Sequence, residues 1–155
     1  MVLPIVKVPN KVLSTATKPV KKIDAKIRKL VQDMEETLEV QKDPEGVGLA
    51  ATQVGLELSL FIMKPSKDHP AQAFINPHIL KILNGQKKLE KKDKSSLEGC
   101  LSIDRIWSPI RRPQQVLVQY QNIHGERKEE WFEGFDAVII QHEVDHLHGI
   151  LFTQR

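Results

Sequence analysis

The sequence predicts an α+β domain: small antiparallel or mixed strands packed around a central C-terminal helix, with a second helix near the N-terminus. Three observations carry this. Residues 24–41 and 136–148 each space their apolar side chains at the helical period. Between them lie short runs rich in β-branched and aromatic residues, separated by polar turns. Those strands do not alternate with helices, as a parallel α/β sheet would require.

The N-terminal helix is read from Ile27, Leu30, Val31, Met34 and Leu38, which share one face. Asp24 precedes them as a candidate N-cap, because its carboxylate can accept from the free N–H groups of the first turn. Lys42 to Gly46, with Pro44, should stop the helix. Strand-like runs follow at 58–63 and 73–76, flanking the turn at 64–70, and at 116–121 and 129–132, joined by a hairpin loop over Asn122 to Gly125. Segment 81–94 holds six lysines against Glu90 and Asp93 and reads as a solvated, mobile loop. The second helix should bury the stripe Ile140, Val144, Leu147 and Leu151 and end at Gly149.

The 155 residues suit a single domain spanning 1–155, large enough to bury a core. One cysteine, Cys100, excludes an internal disulfide and favours a reducing, cytoplasmic setting. No apolar run reaches the length of a membrane span and the N-terminus lacks a signal-peptide pattern, so no membrane association is expected. Lys+Arg number 23 against 20 Asp+Glu, a modest excess. The lysine-rich segment lacks interleaved aromatics, so no specific nucleic-acid recognition is expected.

The strongest chemical signal is His142-Glu143-Val144-Asp145-His146. On a helix, residues four apart face the same way, so both imidazoles can reach one metal ion beside Glu143. By this chain's composition a chance HExxH is expected roughly 0.02 times. A catalytic metal needs a third protein ligand and an open position. Downstream only His148 is offered, and it points elsewhere, so the third ligand should come from upstream. Cys100, in Glu98-Gly99-Cys100-Leu101-Ser102, is the obvious candidate because a thiolate binds zinc or ferrous iron strongly. Alone, it would read as a small buried hydrophobe. A third block, Gly46-Val47-Gly48-Leu49-Ala50-Ala51-Thr52-Gln53, has small residues that let the backbone pass close to something, yet it lacks the spacing of a phosphate loop.

Together GVGLAATQ, EGCLS and QHEVDHLHG, in this order and spacing, closely resemble the three signature motifs of peptide deformylases. The stretch from Pro9 to Val20, FINP at 74–77 and Arg112-Pro113 extend the resemblance over nearly the whole chain. It implies removal of the N-formyl group from the initiator methionine of nascent chains, with release of formate. It implies that Cys100, His142 and His146 bind one divalent metal, natively ferrous iron, with zinc, nickel or cobalt able to substitute, and that water completes the set. It implies Glu143 as general acid/base, and Gln53 with the Leu101 N–H as donors to the formyl oxygen. An extended peptide would pair near Val47, Gly48 and Gly99, and its methionine side chain would lie against Val138 and Ile139. Gln141 and Asp145 belong to the motif as helix-surface or supporting residues. The partners implied are N-formylmethionyl peptides, with transient contact to the ribosome.

The chain departs from the family pattern at Ile103-Asp104, where a hydrophobic residue and proline usually follow EGCLS, and in its longer lysine-rich segment. It also stops just after the third motif and so reads as a short form: the C-terminal extension that can contribute to ribosome contact in many relatives is either absent or cut away. Three other readings are a metallopeptidase using the same HExxH, a hydrolase with Cys100 as nucleophile, and a non-catalytic ribosome-associated protein.

Overall fold

The computed structural model describes residues 1–7, 10–41, 47–65, 70–83 and 114–150, and as backbone 97–100 and 103–109. Helix α1 spans Ala25–Glu39. As predicted, the Asp24 side chain accepts from the N–H groups of Lys26 and Ile27. The helix ends at Val40, ahead of the expected stop, and 42–46 lie outside the described residues.

Five strands form one sheet in the order β1-β2-β3-β6-β7: β1 Gly48–Ala50, β2 Leu60–Met63, β3 Gln72–Leu83, β6 Gln115–Gln121 and β7 Arg127–Glu133. A separate hairpin pairs β4, Leu97–Cys100, with β5, Ile103–Pro109. All strand pairs are antiparallel, and among the described residues the one parallel contact is the bridge between Lys18 and Leu58. Helix α2 spans Gly134–Leu147. Two short 3-10 turns, Lys11–Ser14 and Ala51–Val54, precede α1 and follow β1.

The β1–β2–β3 half of the sheet is covered on both faces. Phe61 and Met63 of β2 join the cluster that includes Ile140, Val144 and Leu147 of α2, while Leu60 and Ile62 join Val31, Met34 and Leu38 of α1. That is why Leu60–Met63 reads as an unbroken apolar run: a strand buried on both faces has no reason to alternate. Among the described residues the β6–β7 half is covered on one face only. There β6 alternates, with Val116, Val118 and Tyr120 buried, and Trp131 of β7 lies half exposed on the open side. An aromatic row ties the two halves: Phe61 stacks on Phe74 at 4.7 Å, and Phe74 meets Tyr120 at 4.4 Å and Phe132 at 5.6 Å.

Two expectations need correction. Lys81, Ile82 and Leu83 belong to β3, paired with Leu117, Val116 and Gln115, and are not loop; residues 84–94 lie outside the described residues. The second helix was expected to bury one stripe, yet α2 is buried on every side from Ile139 to Leu147. The sheet, the turn at Ala51–Val54 and the N-terminal arm surround it. Its polar residues therefore face the interior.

β3 carries a bulge where Asn76 and Pro77 fall, because proline has no N–H for the ladder. Asn76 adopts φ 51°, a conformation asparagine tolerates better than most residues. Its amide ties down the N-terminal arm: Nδ2 donates to the Val20 carbonyl at 2.8 Å and to Gln121 Oε1 at 3.1 Å, and Oδ1 accepts from Val20 N at 2.7 Å. Asn76→Ala should cost about 2–3 kcal/mol, since it removes these bonds and leaves two backbone groups of Val20 unsatisfied. Urea unfolding compared with wild type measures it; an unchanged midpoint would mean that water replaces the amide without loss.

Candidate active site

Helix α2 brings His142 and His146 onto one face, as residues four apart must lie. Their Nε2 atoms approach to 3.1 Å, with the rings inclined at 72°. His146 is fully buried and His142 nearly so. Glu143 is 3% exposed, and its Oε1 lies 4.0 Å from His142 Nε2. Two imidazole nitrogens turned toward each other at this distance suit a shared cation. The edge of a tetrahedron built on metal–nitrogen bonds of ~2.0–2.1 Å is about 3.3 Å. The two imidazoles thus offer two of the donors a divalent metal takes; among the described residues no third His, Cys, Asp or Glu completes the set.

Cys100 ends β4, and its partner in the hairpin is Ile103. Its side chain and Leu101 lie outside the described residues; Gly99 sits within β4.

The GVGLAATQ block forms more than a close-packed turn. Gly48–Ala50 is the edge strand β1, and Ala51–Val54 a 3-10 turn that carries Gln53 inward to 1% exposure. Gln53 Oε1 accepts from the Ala50 N–H at 2.9 Å. A backbone N–H only donates, so this bond fixes the amide with Nε2 as its donor end. The N-terminal arm holds the same residue from behind, since Val6 N donates to the Gln53 carbonyl at 2.7 Å.

The Val47 carbonyl accepts from Lys64 N at 2.7 Å, on the β2 side. Strand alternation turns the N–H and C=O of Gly48 the other way, to the side of β1 away from β2. Gly48 also lies directly over the helix. A Cβ at this position would fall 2.8 Å from Glu143 Oε1 and 3.1 Å from Ile139 Cγ2. This contact between β1 and the HExxH glutamate is not visible in the sequence, where the glycine offers only permissive backbone. Ile139 is buried in the core against β1, and Val138 is half-buried beside it. Gln141 donates from Nε2 to the Ala137 carbonyl at 3.0 Å within the helix, and Asp145 is buried near the helix end. Val47 packs at the margin of the core.

A family model described as polypeptide deformylase matches residues 2–155. The chain is 40% identical to the peptide deformylase of Aquifex aeolicus over 159 aligned positions, covering 100% of this chain and 88% of that protein. It is 42% identical to peptide deformylase 1 of Burkholderia multivorans, covering 94% of this chain and 76% of that one. Among solved structures, the peptide deformylase of Thermotoga maritima superposes with a TM-score of 0.88 at 37% identity, covering 100% of this chain and 97% of that one. A peptide deformylase from Synechococcus elongatus in complex with actinonin gives 0.87 at 32% identity, over 99% of this chain and 78% of that one. By motif, fold and kinship the chain belongs to the polypeptide deformylase family, metal-dependent amide hydrolases that remove the N-formyl group from the N-terminal methionine of nascent polypeptides.

Proposed function

We propose that deformylation runs on the buried face of α2, with His142, His146 and Cys100 holding one divalent metal ion. The observation that carries this is the convergence of the two Nε2 atoms at 3.1 Å beside a buried carboxylate. Two imidazoles and a thiolate are borderline-soft donors. They suit ferrous iron as the native ion, and zinc, nickel or cobalt in its place. Such an ion, when bound, acidifies water and polarises the formyl carbonyl.

The protein's own groups then do the rest. Glu143 takes the proton of the attacking water and returns it to the departing amine nitrogen. Gln53 Nε2 and the Leu101 N–H donate to the formyl oxygen as negative charge grows on it, and preorganised donors of this kind are usually the largest stabilising contribution. The Gln53–Ala50 bond supports that role, because it spares the amide any reorganisation. The peptide adds as a strand along the Gly48 edge, with Val47 flanking it and Gly99 of β4 also pairing, and its methionine side chain lies against Val138 and Ile139. The orientation of the Gly48 peptide groups away from β2 favours this mode.

Among the described residues no helix is long and apolar enough to cross a membrane. The single cysteine as a reduced thiolate ligand fits a cytoplasmic site of action, where nascent chains emerge. Residues 1–155 would act as one catalytic domain, meeting the ribosome only transiently.

Formate release from formyl-Met-Ala-Ser tests the reading. The enzyme should release formate, leave the unformylated peptide uncut, and lose activity on chelation with recovery on adding metal back. Activity that survives complete metal removal would favour Cys100 as a nucleophile instead. Cleavage of internal peptide bonds would favour a peptidase.

A further inference from the structure

A helix leaves its last carbonyls without donors of its own. At the end of α2 most are satisfied by the closing turn: the His148 N–H serves Val144, Asp145 and His146, Gly149 N donates to His146 at 3.0 Å, and Ile150 N to Asp145 at 2.8 Å. The Leu147 carbonyl is served from far away in sequence. It accepts from both the N–H and the Oγ1 of Thr17, each at 2.9 Å.

The arm that delivers Thr17 is seated closely. Gly149 has φ +75°, and a Cβ on it would lie 2.8 Å from the Ser14 carbonyl group. At its other end the arm is tied to the sheet. Lys18 N donates to the Glu57 carbonyl and Ser59 N to the Lys18 carbonyl, both at 2.9 Å, and Asn76 holds Val20. Residues 14–20 thus strap the last turn of α2 to the sheet. His146 sits in that turn, adjacent in sequence to the strapped carbonyl.

We propose that Thr17 is a positioning residue for His146: its hydroxyl, through the Leu147 carbonyl, fixes the final turn of α2 and slows escape of the metal. The inference rests on His146 being a ligand, as set out above. Thr17 bonds the Leu147 carbonyl, so its effect runs through the helix backbone.

Cobalt(II) release from the loaded enzyme into excess chelator, followed by the absorbance of the site, reads this directly. Thr17→Val keeps the volume and the backbone N–H and loses only the hydroxyl bond. It should release cobalt about three- to tenfold faster, less than the ~10–100-fold seen when a direct partner of a ligating side chain is removed. Thr17→Ser should restore the wild-type rate, and KM for the formyl peptide should stay unchanged in both. Thr15→Val removes the bond from Thr15 Oγ1 to the Lys11 carbonyl on the same arm, 2.8 Å long, and should leave release unaltered.

Wild-type cobalt release by Thr17→Val would overturn the inference even if its melting temperature fell, since a purely structural role moves stability alone. Equal acceleration by Thr15→Val would also overturn it. Should the valine variant fail to fold, Thr17→Ala reports the same rate. A wild-type enzyme that takes up no cobalt removes the ligand reading itself, and the inference with it.

Discussion

Glu143→Gln should keep its metal and lose about 10²–10⁴-fold in kcat, the range expected when a positioned general acid/base is removed. The amide is nearly isosteric with the carboxylate, so the packing around Glu143, Gly48 and Ile139 should survive. It cannot accept a proton from water and hand it to the leaving amine. Elemental analysis beside a formate assay separates the two effects. Metal content at the wild-type level with the loss in kcat is the expected pair. Full turnover in the variant would refute the assignment of Glu143 as the proton carrier.

Gly48→Ala should be nearly as damaging to turnover while leaving the fold in place. The added methyl would stand 2.8 Å from Glu143 Oε1, well inside contact distance. That atom is the far end of a flexible side chain, so the structure can relieve the clash cheaply by turning the carboxylate aside. For catalysis the same relief is expensive. A misplacement of ~1 Å of a reacting group can cost on the order of 10² in rate. The remaining contact, 3.1 Å to Ile139 Cγ2, adds modest overpacking. The expected result is a folded, metal-loaded protein whose kcat falls about 10²-fold. If kcat held and only KM rose, Gly48 would matter through peptide pairing along β1 and not through Glu143.

Much of the frame could be read in advance because it depends on local rules. The apolar positions of α1 and the Asp24 cap are consequences of helical geometry within a few residues. The runs of β2 and β6 and the hairpin loop were marked by composition and by turn chemistry, down to Gly125 at φ +79°. Strands β1 and β4 carry no legible signal because Gly48–Ala50 and Leu97–Cys100 are short and contain glycine, so neither offers a pattern of alternation. The start of the lysine-rich segment resembles loop because the charge run over 81–94 favours solvent, whereas the pairing of β3 with β6 carries the strand on to Leu83.

By itself the sequence determined the chemistry of this protein: an HExxH on a helix, a lone upstream cysteine, and a glutamine at the end of a small-residue block, in an order that resembles one enzyme family. The tertiary structure decided the rest. Periodicity assigns polar residues to solvent, yet α2 is enclosed on all sides from Ile139 to Leu147, so His142, Glu143, Asp145 and His146 are interior groups. Whether a glycine is needed depends on what lies above it, and only the crossing of β1 over α2 brings Gly48 against Glu143. The seating of Thr17 on the Leu147 carbonyl is likewise a contact between opposite ends of the chain. A sequence pattern records each residue's local conformational preference. It does not record which distant backbone will come to rest beside it, because that follows from how the sheet and helices bury their apolar faces together.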